Sequence, residues 1–352
     1  MHGFIHEFDQ LPRASSLAES RGSIRPDRGA RLLLAEPLIG IIRNPRSHRN
    51  RGRELELANR PNLLVETPRT REALCHTLIE FARRGIDYLV VDGGDGTVRD
   101  VITCGEEVFG DHWPTLVVLP KGKTNALAVD LGLPNVWSLG EALDAVAGGH
   151  TIERRPMVVT QQDCQAGTAG DGRVRGFILG AGVFTTASQG VQKAHRRGAF
   201  NSFAVGLISA WVVLQGMFAG NANPYRQGTR MSIRLGRQRR PLAHSGRGGT
   251  DRRFLTFIST LERFPLGLKP FGPVRPGLKL ATIDFPLRRL MSMLPALLAG
   301  FHKPWLEEMG AHRADADEIE LALEDRFILD GEYFPAGCYV LRQGQPLRFV
   351  VP

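Results

Sequence analysis

The sequence predicts an α/β protein of two domains, an N-terminal parallel sheet with helices on its faces and a C-terminal β-rich domain. Three observations predict this. Up to about residue 150, short apolar runs alternate with stretches of helical periodicity. Those runs are apolar at successive positions, as strands buried on both faces are. Beyond that point the apolar runs are short and parted by Gly/Pro turns, which suits antiparallel strands. At roughly 100–200 residues per domain, 352 residues allow two domains. The expected division is a flexible tail over 1–36, an α/β domain over 37–150 and a β-rich domain over 151–352.

The elements follow in order. Leu38 to Ile42 reads as a buried strand that ends at Arg43-Asn44-Pro45-Arg46-Ser47, where Pro45 stops the ladder. Thr67 is the expected N-cap of the first helix, with Pro68 at its first position. Leu74, Leu78 and Phe81 share a face of that helix, and Gly85 ends it. Ile86 to Val91 is the next strand. The loop Asp92-Gly93-Gly94-Asp95-Gly96 follows, and Thr97 is expected to cap a helix through Val101. Thr115 to Leu119 is a third strand, Pro120 to Thr124 a loop, and Asn125 opens a short helix. Ala142 to Gly149 closes the domain as a helix ending in two glycines.

In the second domain, strands are expected at Met157–Val159, Phe177–Leu179, Met231–Ile233, Phe254–Ile258 and Leu278–Ala281. Helices are expected at 201–221 and 290–301, with Pro295 kinking or starting the second. Arg237 to Arg253 reads as an exposed loop. There is no internal repeat.

Composition narrows the partners. The formal charge is +9, from 45 Lys+Arg against 36 Asp+Glu. Such an excess favours a nucleotide, a nucleic acid or an acidic membrane surface. Four Trp and four Tyr, with no recognisable nucleic-acid module, argue against nucleic acid. Cys75, Cys104, Cys164 and Cys338 form no C-x-x-C pair. Their wide spacing predicts neither a zinc site nor a disulfide framework, and a reducing cytosol is the expected compartment. The N-terminal residues have no apolar core of signal-peptide length, and their acids argue against a mitochondrial presequence. Residues 201–221 carry no charge, so they read as a core helix, a helix at a lipid-binding mouth, or a membrane span.

Ligands of parallel sheets bind at the carboxyl ends of the strands. Three loops rich in Gly, Pro, Asn or Thr fall there: Asn44–Ser47, Asp92–Thr97 and Pro120–Asn125. The strongest signal is Val90 to Val98, VVDGGDGTV. Gly93, Gly94 and Gly96 remove three Cβ atoms within four residues, which lets backbone N–H groups approach a phosphate. Asp95 among them suits metal binding or activation of an attacking hydroxyl. The loop is not G-x-G-x-x-G, and Gly122-Lys123-Thr124 is not a Walker A loop.

Taken together, GGDGT after an apolar strand, Asn44-Pro45-x-Ser47 upstream and Pro120-x-Gly122-x-x-Asn125 downstream resemble the diacylglycerol kinase catalytic domain family. That family includes bacterial lipid kinases, sphingosine kinases and ceramide kinases. Leu329-Asp330-Gly331-Glu332, followed by Pro335 and the closing run Leu347 to Pro352, is a fourth match. The resemblance implies a fold like that of diacylglycerol kinases and NAD kinases, with ATP between the two domains. It implies nucleotide contacts at Asn44, Pro45, Ser47, Gly93, Gly94, Gly96, Thr97, Gly122, Lys123, Thr124 and Asn125. Asp95 would act near the phosphates and Mg²⁺. Asp330 and Glu332 would come from the second domain, one of them as base for the acceptor hydroxyl.

The sequence departs from the family at Lys121, Lys123 and Ala126, where Leu, Thr and Asp are usual. It departs also at Arg99-Asp100, where Asn-Glu is usual, and at Pro276-Gly277, where Asp-Gly is usual. That last Asp belongs to an auxiliary metal site in some bacterial members, and Asp284 lies nearby but out of register. Trp211, Met217 and Phe218 are candidates for an acyl-chain groove, and Phe264 to Phe271 for an apolar loop entering a membrane. His195-Arg196-Arg197 reads as a phosphate contact or a solvated face.

The function expected from this is an ATP- and Mg²⁺-dependent lipid kinase acting on diacylglycerol, ceramide or a related sphingolipid. It would work in the cytoplasm, peripherally on the anionic inner face of a membrane. The alternatives are a soluble-substrate kinase of the NAD kinase type and a non-catalytic lipid- or nucleotide-binding protein on the same scaffold.

Overall fold

The apolar strands of the first half form one six-stranded sheet. Its members are β1 (Ile39–Arg43), β2 (Leu63–Glu66), β3 (Tyr88–Gly93), β4 (Thr115–Pro120), β5 (Thr151–Arg154) and, from the far end of the chain, β19 (Leu347–Val350). The order is β2-β1-β3-β4-β19-β5. β1 to β4 and β19 run parallel, and β5 is antiparallel to β19. These details come from a computed structural model, which describes residues 8–12, 36–50, 60–165, 168–183, 185 and 224–352.

α1 (Arg71–Arg84), α2 (Asp95–Phe109), α3 (Ala126–Asp130) and α4 (Leu139–Gly148) cover the sheet. Leu78, Val101 and Ile102 are fully buried against Ile41, Leu89 and Val117. Gly40 is required by packing, because a Cβ there would lie 2.6 Å from the Phe81 ring.

Several local expectations change. The N-cap of α1 is Thr70, not Thr67: its hydroxyl accepts the Ala73 N–H at 3.1 Å, which Thr67 is too far back to do. Gly85 ends that helix in a left-handed conformation, φ 66°, as expected. Helix α2 begins at Asp95 with Gly94 as N-cap, so Thr97 lies inside its first turn rather than before it. α4 starts at Leu139, earlier than expected, because Ser138 and Glu141 form a reciprocal capping box. β2 is an additional four-residue edge strand, too short for a periodic signal in the sequence.

The second domain has two antiparallel sheets. One joins β6 (Met157–Gln162), β7 (Ala169–Gly176), β9 (Thr229–Leu235), β10 (Arg240–Pro241), β15 (Glu318–Leu323) and β18 (Gly337–Gln343), with β11 (Arg252–Arg253) also on β9. The other joins β8 (Ile178–Gly182), β12 (Leu255–Ser259), β13 (Lys279–Ile283), β14 (Ala311–Asp315), β16 (Phe327–Leu329) and β17 (Glu332–Phe334). Met157, Leu179, Ile258, Leu280, Leu321 and Phe327 share one buried cluster between them.

Short helices α5 (Pro224–Gln227), α6 (Arg288–Ser292), α7 (Leu294–Leu298) and α8 (Trp305–Glu308) complete the domain. The break between α6 and α7 falls at Met293, with Pro295 in the first turn of α7, as its ring requires. The 237–253 segment is not purely an exposed loop. It carries β10 and β11, and Arg253 is buried in an ion pair with Asp284 at 2.5 Å.

Three larger corrections follow. A boundary at residue 150 does not separate two chain segments: 151–154 and 347–350 both lie in the first sheet. Nor is all of 1–36 a flexible tail. Phe8 stacks on Phe334 with centroids 4.9 Å apart, its N–H donates to the Tyr333 carbonyl, and Leu11 is 2% exposed in the second core. Finally, Cys164 and Cys338 form a disulfide. Their spacing concealed it, but β6 lies beside β18 with Gln162 opposite Cys338, so Cys164 arrives within reach. The bond removes the cysteine argument for a reducing compartment. Among the described residues, no helix is long and apolar enough to cross a membrane. The candidate 201–221 helix, with Trp211, Met217 and Phe218, and the His195–Arg197 cluster lie outside the described residues.

Candidate active site

The three predicted loops converge at the carboxyl edge of the first sheet. β1 and β3 pair as far as Arg43 opposite Asp92, and β3 and β4 as far as Gly93 opposite Pro120. The loops after them therefore emerge side by side. The Asn44 side chain donates to the Thr97 hydroxyl at 2.8 Å, and its carbonyl Oδ1 accepts the Arg46 N–H. Ser47 donates its N–H to the Asn44 carbonyl, closing the turn that contains Pro45. Asn50, not singled out beforehand, donates to the Asn44 and Asp92 carbonyls, both at 3.1 Å.

Two glycines are required where loops cross. A Cβ on Gly94 would lie 2.8 Å from the Gly122 Cα, and one on Gly93 would meet the Thr97 side chain at 2.5 Å. The Asn125 side chain brackets Gly122, accepting its N–H at 2.7 Å and donating to its carbonyl at 3.1 Å. Lys123 and Thr124 are exposed at the tip of this loop.

Asp95 is held by the next helix. Its two carboxylate oxygens accept the Ala126 N–H at 3.0 Å and the Leu127 N–H at 3.2 Å. Burial raises its pKa, and these donors oppose the rise. Ala126 replaces the usual Asp without disturbing this contact, because only backbone is used.

Asp330 comes from the β16–β17 turn at φ 47°. Its carboxylate accepts the Ile178 N–H at 2.9 Å and the Phe177 N–H at 3.0 Å. Burial, and then the charge of Asp95, push its pKa up to about 7. The turn that carries Asp330 abuts the start of α2, where a Cβ on Gly96 would lie 3.9 Å from the Asp330 carbonyl oxygen. Glu332 also faces this edge: a Cβ on Gly96 would lie 3.2 Å from its Oε1.

Arg99 explains the unusual Arg99-Asp100 pair. It is fully buried and reaches Glu332 at 2.5 Å and Asp100 at 2.8 Å, while Arg71 bonds Asp100 at 2.9 Å. Burial works against the Arg99 charge, yet Asp100 and Glu332 hold its pKa above normal. Sequence reasoning missed its role. The available signal was an arginine one turn after Asp95 on the same helix, followed by an acid. Asp92 was missed too. It is fully buried, pairs with Arg43 at 3.1 Å, and burial raises its pKa.

This donor set does not fit a divalent ion held by protein alone. The oxygens of Asp95 and Asp330 already accept backbone N–H groups, Glu332 meets Arg99, and no metal-ligating cluster occurs among the described residues. Each Asp95 oxygen accepts a single N–H and keeps a lone pair, so Asp95 can still meet a cation that is held chiefly by phosphates. Asp284 is no auxiliary metal ligand. It accepts from Arg253, from the Ser245 N–H at 2.7 Å and pairs with His312 at 2.9 Å.

A sheet edge of glycine loops thus faces two acids, Asp330 and Glu332, from the β-rich half of the chain. A crystal structure of a diacylglycerol kinase from Bacillus anthracis has the same fold, with a TM-score of 0.56 at 15% identity over 91% of this chain and 98% of that one. A second crystal structure from that strain aligns at a TM-score of 0.59 and 16% identity, again over 91% and 98%. Residues 39–159 match the model of the diacylglycerol kinase catalytic domain family. The proteins named probable lipid kinase YegS of Shigella flexneri and Escherichia coli are 34% identical over 87 residues, 24% of this chain. The match spans 28% of the length of those relatives.

Proposed function

We propose that the chain is an ATP-dependent lipid kinase that phosphorylates a hydroxyl of a membrane lipid of the diacylglycerol or ceramide class. The observation that carries this reading is the approach of the Asp330–Glu332 turn to Gly96, next to Asp95, beside the crossing Gly94 and Gly122 loops. The triphosphate lies against the bare backbone of Gly94, Gly96 and Gly122, with Thr97, Asn44 and Asn125 fixing the loops and Lys123 and Thr124 at its rim. Magnesium enters as part of the nucleotide substrate.

In the step, the bond from the γ-phosphorus to the β-phosphate bridging oxygen breaks. A bond from the lipid hydroxyl oxygen forms, and ADP leaves. The hydroxyl proton passes to Asp330, whose affinity for a proton suits a general base near neutral pH. Asp95 sustains that affinity by its charge, and Glu332, fixed by Arg99, holds the turn in place. Such transfer is mostly positioning and charge placement, which this arrangement supplies. The lipid hydroxyl is reached from an anionic membrane surface at which the chain is peripherally bound.

The test is transfer of labelled phosphate from ATP to diacylglycerol, ceramide and NAD in parallel. A phospholipid product from one lipid, with none from NAD, supports the reading. NAD phosphate as the sole product would replace it.

A further inference from the structure

Two neighbouring loops of the second domain expose large apolar side chains, Leu266 and Leu268 on one and Phe301 and Trp305 on the other. The first turns at Pro265–Gly267, where Leu266 is 96% exposed and has φ 59°. A left-handed leucine is unfavourable by roughly 1–2 kcal/mol, and glycine or asparagine would serve the turn better. The side chain is 96% exposed and gains no packing in return; only the backbone bonds from the Gly267 N–H to the Phe264 carbonyl at 3.2 Å and from the Leu268 N–H to the Pro265 carbonyl at 3.3 Å hold the turn. Strain of this kind points to use at that position.

The base of the loop is rigid. Phe264 and Phe271 are not membrane-facing, as the sequence suggested, but buried with Phe257 in a three-ring cluster of centroid spacings 5.2–5.9 Å. Asp130, fully buried at the end of α3, accepts the Glu262 and Arg263 N–H groups at 2.8 and 2.7 Å. The loop is thus joined to the helix whose first N–H groups hold Asp95.

The second loop is Phe301–Trp305, exposed throughout, with the two rings 6.4 Å apart. The loops are connected. Lys269 donates its N–H to the Leu298 carbonyl at 2.6 Å, and a Cβ on Gly300 would meet the Lys269 side chain at 3.3 Å. Cations flank the apolar tips. Lys269 and Lys303 are exposed, and the Arg289 guanidinium lies 5.8 Å from the Trp305 ring centroid. Glu307 and Glu308 are the nearby acids, and Glu307 pairs with His302 at 3.6 Å.

We propose that Leu266, Leu268, Phe301 and Trp305, ringed by Lys269, Lys303 and Arg289, dock on an anionic lipid bilayer and set the catalytic edge against it. This deepens the lipid-kinase reading and rests on it. Exposed apolar tips with an amphipathic tryptophan suit insertion at the headgroup boundary. The cations match anionic headgroups, each adding to attraction at the surface.

The test uses the full chain and sedimentation with vesicles of phosphatidylcholine alone or with about one third phosphatidylglycerol. Binding is expected to the anionic vesicles only and to weaken with salt. Leu266→Glu should lower the partition coefficient by at least about tenfold, and Lys269→Glu with Lys303→Glu by a similar factor. Leu266→Gly is the sharper variant: it relieves the positive φ and should raise the melting temperature while still weakening binding. Phosphorylation of a dispersed short-chain diacylglycerol should be unchanged in Leu266→Glu. The proposal is overturned if wild-type protein ignores anionic vesicles, or if the variants bind as wild type does. It is also overturned if Leu266→Glu only splits a dimer of this chain. Absence of short-chain turnover in wild type would sink the kinase reading instead, leaving the vesicle result to judge the surface.

Discussion

The guanidinium of Arg99 on α2 lies 2.5 Å from the carboxylate of Glu332 on β17, and that contact ties the two domains together at the candidate site. The arginine is fully buried and shared with Asp100, which Arg71 also bonds. Breaking one side of such a buried pair leaves a charge without its partner, at a cost of about 3–5 kcal/mol. Arg99→Ala is therefore expected to lower stability by that order in denaturant unfolding. Arg99→Lys should recover only part, since an ammonium cannot bridge both acids with a planar fork. An Arg99→Ala protein as stable as wild type would contradict the contact.

Asp330 makes stability depend on pH in a definite sense. Its folded pKa is raised to about 7, above an ordinary value of 3.8. The folded state therefore holds a proton that the unfolded state has released. Its favourable contribution is fully present below about pH 4 and is lost as pH rises to about 7. Asp330→Asn should raise the melting temperature at pH 8 by several degrees and change it little at pH 4, read by calorimetry. Activity runs the other way: as a base, Asp330 must be ionised, so kcat/KM should climb with pH through an apparent pKa near 7. A flat profile between pH 6 and 8 would remove Asp330 from that role, and Glu332→Gln would be the next variant to examine.

Gly94 tests the loop crossing. Its φ of −97° is open to any residue, so strain is not the issue. The obstacle is steric, the Gly122 backbone 2.8 Å from a new Cβ. Gly94→Ala should push the two loops apart and weaken ATP binding at least tenfold, measured by calorimetric titration, with the fold retained. Unaltered affinity would show that the loops do not shape the nucleotide site.

The Cys164–Cys338 bond closes a separation of 174 residues. Loop-closure entropy alone assigns such a bond about 5 kcal/mol. Thiol titration of denatured, unreduced protein should count two free cysteines, Cys75 and Cys104, and reduction should lower the melting temperature. A count of four would refute the bond.

Much of the fold was legible because periodicity and turn chemistry agreed. The strands around Ile41, Val90 and Val117 and the Gly85 cap follow local rules. The GGDGT loop and the Asp330–Glu332 turn were legible as motifs, and the structure brings them together. What escaped depends on distant partners. The return of Leu347–Val350 to the first sheet leaves no periodic trace, because a four-residue apolar run fits any sheet. The Cys164–Cys338 pair required knowing that β6 neighbours β18. Arg99 looked like a lost motif residue, and only the burial of α2 against Glu332 gives it a purpose. Phe264 and Phe271 look as exposed in sequence as Leu266 and Leu268, yet only the leucines reach solvent.

The most direct measurement is phosphoryl transfer from ATP to diacylglycerol and ceramide in mixed micelles, comparing wild type with Asp95→Asn and Asp330→Asn. Wild type should yield a phosphorylated lipid. Each variant should stay folded and lose activity by at least about a hundredfold. Undiminished transfer by both variants, or no lipid product from wild type, would contradict the assignment of this acidic pair to catalysis.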